Sequence, residues 1–172
     1  MANEIVRQIL RFLFLVAVQG LILKNVEPGP LINPFLYVLF LIQLPFETPP
    51  WLGLIISFVL GFCVDLFYGT VGMHMAACTF IGFLRPKILS SMAPRDGYEF
   101  GSSPTIQDMG RAWFFTFSFI VILTHHFILF YLEVFSFREF FSTFLRVIVS
   151  LVSTGLLVVV SQFLFYRTKQ KI

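Results

Sequence analysis

Charge is scarce in this chain. Its 172 residues hold 12 Lys and Arg and 9 Asp and Glu, a charged fraction of 12% where a soluble domain carries about twice as much. That shortage excludes a soluble enzyme, a disordered tail and a nucleic-acid module, which would need a far more basic surface. A net charge of +3 is also too small to imply a polyanionic partner. Cysteine is nearly absent. Cys63 and Cys78 both fall inside apolar runs, so neither a disulfide framework nor a zinc site is suggested, and buried packing is their expected role. The apolar runs lack any alternation of polar and apolar residues at period two, which excludes β-barrel strands.

What the sequence has instead is hydrophobic length. It is 58% hydrophobic, with a mean hydropathy of +0.88. Residues 28–46, 48–64, 66–84, 112–132 and 147–166 contain no Asp, Glu, Lys or Arg, and each is close to the roughly 20 residues that cross a hydrocarbon core. A further segment, Ile5 to Lys24, is apolar from Phe12 onward behind Arg7 and Arg11. Its basic start resembles a secretory signal, but only Asn25-Val26-Glu27-Pro28 follows, with no small-residue cleavage site, so it reads as a first span.

The expectation is an all-α integral membrane protein, one domain over residues 1–172, built as a six-helix transmembrane bundle. Its spans run at about 5–24, 33–46, 49–68, 72–90, 111–132 and 139–166. Pro34 and Pro45 bracket the second span, which at about 1.5 Å per residue reaches only about 20 Å and is expected to be partial or broken. With six passes, Arg7, Arg11, Arg85, Lys87, Arg95, Arg111, Arg167, Lys169 and Lys171 fall on one side, and only Lys24 and Arg138 on the other. Positive charge collects in the cytoplasm, so both termini are expected there, at the inner membrane. Residues 91–110, rich in Gly, Ser and Pro, read as a flexible cytoplasmic connector.

Polar residues inside the spans are the candidate functional groups. Gly53, Ser57, Gly61, Asp65 and Gly69 recur every four residues, a small-residue stripe on one helix face that ends in a carboxylate. Such stripes let helices approach closely, either within the chain or against a partner. Gly69 and Gly72 break the helix before His74, which places Asp65 and His74 across one hairpin, where they either meet or both reach headgroup water. His125, His126 and Arg146 fall in the same leaflet, so these residues form either an outer polar pocket or a set of side chains snorkelling to the surface. His125 and His126 point about 100° apart on a helix, which makes joint metal ligation unfavourable.

The stretch Gly61-Phe62-Cys63-Val64-Asp65-Leu66-Phe67-Tyr68-Gly69-Thr70-Val71-Gly72-Met73-His74, followed by Phe83-Leu84-Arg85-Pro86, resembles the MreD family. Pro28–Pro34 and Leu44-Pro45-Phe46 are similar to that family's proline-bearing second span. The resemblance implies a non-enzymatic scaffold of the bacterial rod complex, or elongasome, with no cofactor. Such a scaffold binds the single-span protein MreC and through it links MreB filaments to RodA and a class B penicillin-binding transpeptidase. Its other contact is membrane lipid, not nucleic acid, and a homodimer within a hetero-oligomer is compatible with it. The family is also similar in fold to the substrate-binding S component of energy-coupling-factor vitamin transporters. That likeness makes a small-molecule-binding or transport subunit the alternative, with Asp65, His74 and Arg146 holding a polar ligand. Hydrolytic chemistry lacks its residues, since there is one intramembrane Asp and neither an HExxH nor a GxSxG sequence.

From the sequence, Asp65→Asn should weaken function or partner assembly more than Gly53→Ala, because a charge taken from the membrane interior leaves its partner uncompensated. Complementation of a deletion strain measures this. Wild-type behaviour of Asp65→Asn would remove functional weight from the carboxylate.

Overall fold

The computed structural model describes residues 2–26, 29, 31–135 and 137–165, and among these the chain is helical with no strand. Four helices are long and apolar enough to cross a membrane: Glu4–Asn25, Pro50–Tyr68, Arg111–Val134 and Phe140–Leu164. The transmembrane character expected from composition therefore has elements to carry it. Pro28, Arg167, Lys169 and Lys171, used above for the second span and the charge bias, lie outside the described residues.

The first long element starts as α1 (Ala2–Ala17) and continues through a π-turn (Val18–Ile22) and a 3-10 turn (Leu23–Asn25). The π-turn seats Gly20 against the Phe67 ring, where any Cβ would overlap the aromatic carbons. It also turns Gln19 fully inward. Next comes the expected second span, which is a broken segment. Extended chain from residue 32 leads to a short helix, α2 (Val38–Ile42), and the backbone turns again by Leu44. The physical cause is local: Pro34 and Pro45 flank a stretch too short to cross as one regular helix.

α3 (Pro50–Tyr68) and α4 (Met73–Ser91) form an antiparallel hairpin with the most extensive contact in the molecule. α3 begins on Pro49 and Pro50, where a missing N–H costs nothing, and stops at Gly69, whose φ of 66° only glycine adopts freely. Gly72, at φ 84°, opens α4. α4 has the 19 residues of α3 but carries His74, Arg85 and Lys87. The small-residue stripe faces α4. A Cβ on Gly61 would overlap Met75 Cα and the His74 carbonyl, and one on Gly82 would overlap Ser57 Oγ. The stripe is thus consumed by packing within the chain, and Gly53, Ser57, Gly61 and Asp65 are buried there rather than open to a partner.

α6 (Arg111–Val134) lies at the centre, against α4 on one side and α7 (Phe140–Phe165) on the other. Between α4 and α6 the connection does not run free as its composition suggests. Tyr98 stacks on Phe46 at 4.1 Å between centroids, its hydroxyl donates to Leu89 O, and Trp113 Nε1 donates to Met92 O. Thr105 caps a single-turn helix, α5 (Ile106–Met109), and Gly101 N donates to Glu47 Oε1. Glycine and serine content predicted flexibility; the aromatic side chains at 46, 98 and 113 overrode it by docking the loop.

The packing distinguishes two glycines of one stripe. Gly61→Ala should lower stability by about 1–3 kcal/mol, because backbone atoms of α4 would have to move. Gly53→Ala should change it little, since the nearest atoms to a new Cβ are flexible side-chain carbons 3.9 Å away. Thermal unfolding midpoints in detergent measure both.

Candidate functional site

The polar residues singled out in the sequence do come together in part, although not as an open pocket. Asp65 is 4% exposed. Its Oδ1 accepts from Thr70 Oγ1 at 2.5 Å and from His74 N at 3.1 Å, and its Oδ2 accepts from Met75 N at 2.9 Å. Those two amides belong to the second and third residues of α4, the donors that a helix N-cap normally satisfies. Gly72, at the cap position itself, has no side chain to do so. Asp65 therefore reaches across the turn and caps the next helix. The expected meeting of Asp65 and His74 is real, but it runs through the His74 backbone, leaving the imidazole to other partners.

Those partners form a buried chain. Tyr37 Oη lies 2.7 Å from His74 Nδ1 and 2.7 Å from His125 Nε2. His125 Nδ1 lies 3.4 Å from His126 Nδ1, and His126 Nε2 lies 3.0 Å from Thr154 Oγ1. Thr154 Oγ1 also accepts from Phe35 N at 2.9 Å. Tyr37, His125, His126 and Thr154 are completely buried. Each neutral imidazole in this set offers one donor and one acceptor, so the direction of the chain follows from the histidine tautomers. Cys78 Sγ, 3.9 Å from His125 Nε2, lines the same space.

The chain explains how a broken segment tolerates the bundle interior. Backbone groups of residues 31–35 have no helix to satisfy them, and an orphaned donor or acceptor in such surroundings costs several kcal/mol. Side chains from the neighbouring helices take them up. Ser150 Oγ accepts from Asn33 N and donates to Leu31 O, both at 3.1 Å. Gln19 Nε2 donates to Pro34 O at 3.1 Å and to Tyr68 Oη at 2.7 Å. At the far end of the segment, Arg85, only 6% exposed, donates from Nε to Leu41 O at 3.2 Å and from Nη2 to Leu44 O. Counted above among the basic residues of one side, Arg85 is buried here and holds the Leu41 carbonyl at the end of α2 and the Leu44 carbonyl in the turn that follows.

Arg146 stands apart from this set. Its Nη1 pairs with Glu133 Oε2 at 3.0 Å, and its guanidinium carbon sits 4.3 Å from the Phe130 ring centroid. The expected outer pocket of Asp65, His74, His125, His126 and Arg146 is replaced by a filled core. Phe35 occupies the centre, with its ring 5.3 Å from His74, 6.1 Å from His125 and 5.4 Å from His126. Among the described residues no group of three His, Cys, Asp or Glu could hold a metal ion. Gly69 and Gly72 form the turn that carries the cap. Sequence reasoning missed Tyr37, Phe35, Gln19 and the role of Arg85. The available signal was Pro34, which announces irregular backbone and hence a need for side-chain partners nearby.

Tyr37→Phe should lower the unfolding midpoint markedly, since it orphans His74 Nδ1 and His125 Nε2 at about 1–3 kcal/mol each. Tyr131→Phe, which removes a hydroxyl bonded to Phe140 O near the surface, is the control and should unfold as wild type. Equal midpoints for the two variants would show that the chain carries no stability.

Comparison with known proteins adds no neighbour: no protein-family model, no curated protein and no solved structure matches this chain.

Proposed function

We propose that the chain is a non-enzymatic membrane scaffold of the bacterial rod complex, similar to MreD. It binds the transmembrane helix of MreC and so couples MreB filaments to RodA and its class B penicillin-binding transpeptidase. In this reading it passes the inner membrane six times. The passes are α1 with its π-turn, the broken segment 31–46, α3, α4, α6 and α7, with both termini cytoplasmic.

One observation carries the reading. The residues behind the resemblance, 61–74 and 83–86, build a single closed hairpin whose polar groups Asp65, Tyr68, His74 and Arg85 bond to the backbone and side chains of this same chain. A motif used in this way makes a rigid body rather than a reaction centre. What such a body presents to its surroundings is lateral: Ile9 and Leu13 on α1, Ile55 and Phe62 on α3, Val152 and Leu156 on α7 are all exposed. Helices associate in lipid through van der Waals packing, and these side chains are the exposed surface that a partner helix would meet. The likeness to transporter S components is retained as an architecture and not as transport, because Phe35 and Tyr37 fill the space that a ligand would need.

Affinity purification of the tagged chain from native bacterial membranes in mild detergent tests this. A single-span partner together with wall-synthesis enzymes is the expected result. Recovery of an ATPase-driven transport module in their place would overturn the scaffold.

A further inference from the structure

A cavity of about 390 Å³ opens at the end of the bundle that carries the N-terminus, between α1, α2 and α7. Arg7, Arg11 and Gln43 form its polar part, and Leu10, Phe14 and Leu39 its apolar part. The volume lies within the range of small-ligand sites. The two arginines are one turn apart on α1, so both guanidiniums edge the same opening. Leu10 lies between the two arginines on α1 and Phe14 just beyond Arg11, both exposed at the bundle surface, and Leu39 joins them from α2. Cationic groups at the helix end with an apolar wall beneath them are the two halves of a phospholipid site: phosphate at the edge, acyl chain along the wall.

We propose that this cavity binds one anionic phospholipid, held by Arg7 and Arg11 in the leaflet on the N-terminal side, with an acyl chain laid along Leu10, Phe14 and Leu39. A guanidinium has five N–H donors, so each arginine can take a phosphate beside its present partners. Arg7 pairs with Glu4 at 2.6 Å, but both side chains are about half exposed, at 56% and 43%, and such a surface pair contributes little. Arg11 donates to Gln8 Oε1 and to Gln43 O, both at 3.4 Å, among its contacts. A phosphate at the opening makes shorter bonds to both arginines and keeps Arg11 against the turn that closes α2. Ser161, from α7, completes the opposite wall with its hydroxyl turned to Val158 O. The site stands whether or not the scaffold reading does, since it rests on α1 and α2 and not on any partner.

The test uses the full chain purified in detergent and titrated with phosphatidylglycerol, phosphatidylcholine or glycerol 3-phosphate, read by native mass spectrometry and by the thermal midpoint. Phosphatidylglycerol should bind with a stoichiometry of one and raise the midpoint, and the other two should not. Arg7→Gln should weaken binding about fivefold and the double variant with Arg11→Gln about thirtyfold, from the contribution of a basic side chain near anionic lipid. Arg7 is exposed and lies outside the α2 contact, so its single variant folds as wild type and decides the matter if the double variant does not fold. Equal binding of phosphatidylcholine, an equal shift by glycerol 3-phosphate, or undiminished lipid binding by Arg7→Gln would each overturn the proposal. So would a photo-crosslinker placed at Leu10 that captures a partner's transmembrane helix in native membranes and no lipid.

Discussion

Lipid offers no hydrogen bonds, so every backbone N–H and C=O that leaves a regular helix inside the bundle must find a partner in the protein. Most of the polar placement in this chain follows from that constraint. The segment from residue 31 to residue 44 is irregular at both ends, and Ser150, Thr154, Gln19 and Arg85 attend to its backbone. The start of α4 lacks a capping side chain of its own, and Asp65 supplies one from α3. Intramembrane polar residues usually mark a pathway or a ligand. Here they hold up the main chain.

The histidines extend the same logic. Thr154, which accepts Phe35 N–H, also bonds His126; His126 meets His125, and Tyr37 joins His125 to His74. A buried side-chain network of this kind ties the short α2 segment, α4, α6 and α7 together within an apolar core. For a protein whose proposed task is to hold other membrane chains in place, rigidity of this kind is the useful property.

Some of this was readable beforehand. Apolar runs located the long helices, because the length of a hydrocarbon crossing leaves little freedom. Two prolines marked the broken segment, and spacing put Gly61 and Asp65 on one face of α3, where both pack against α4. The order of the 91–110 loop was not readable. It depends on Tyr98 and Trp113 meeting Phe46, which lies 52 residues before the first of them.

By itself, then, the sequence determined the solvent, the helix positions and the identity of the polar side chains, since these follow from composition and short-range periodicity. Only the tertiary structure decided what those side chains bond. Asp65 to an amide and not an imidazole, Arg146 to Glu133 and not Asp65, and Arg85 to the carbonyls of Leu41 and Leu44 are all choices between partners on different elements. Such choices are set by which helices are neighbours and how deeply the irregular segment is inserted, and neither has a local signature.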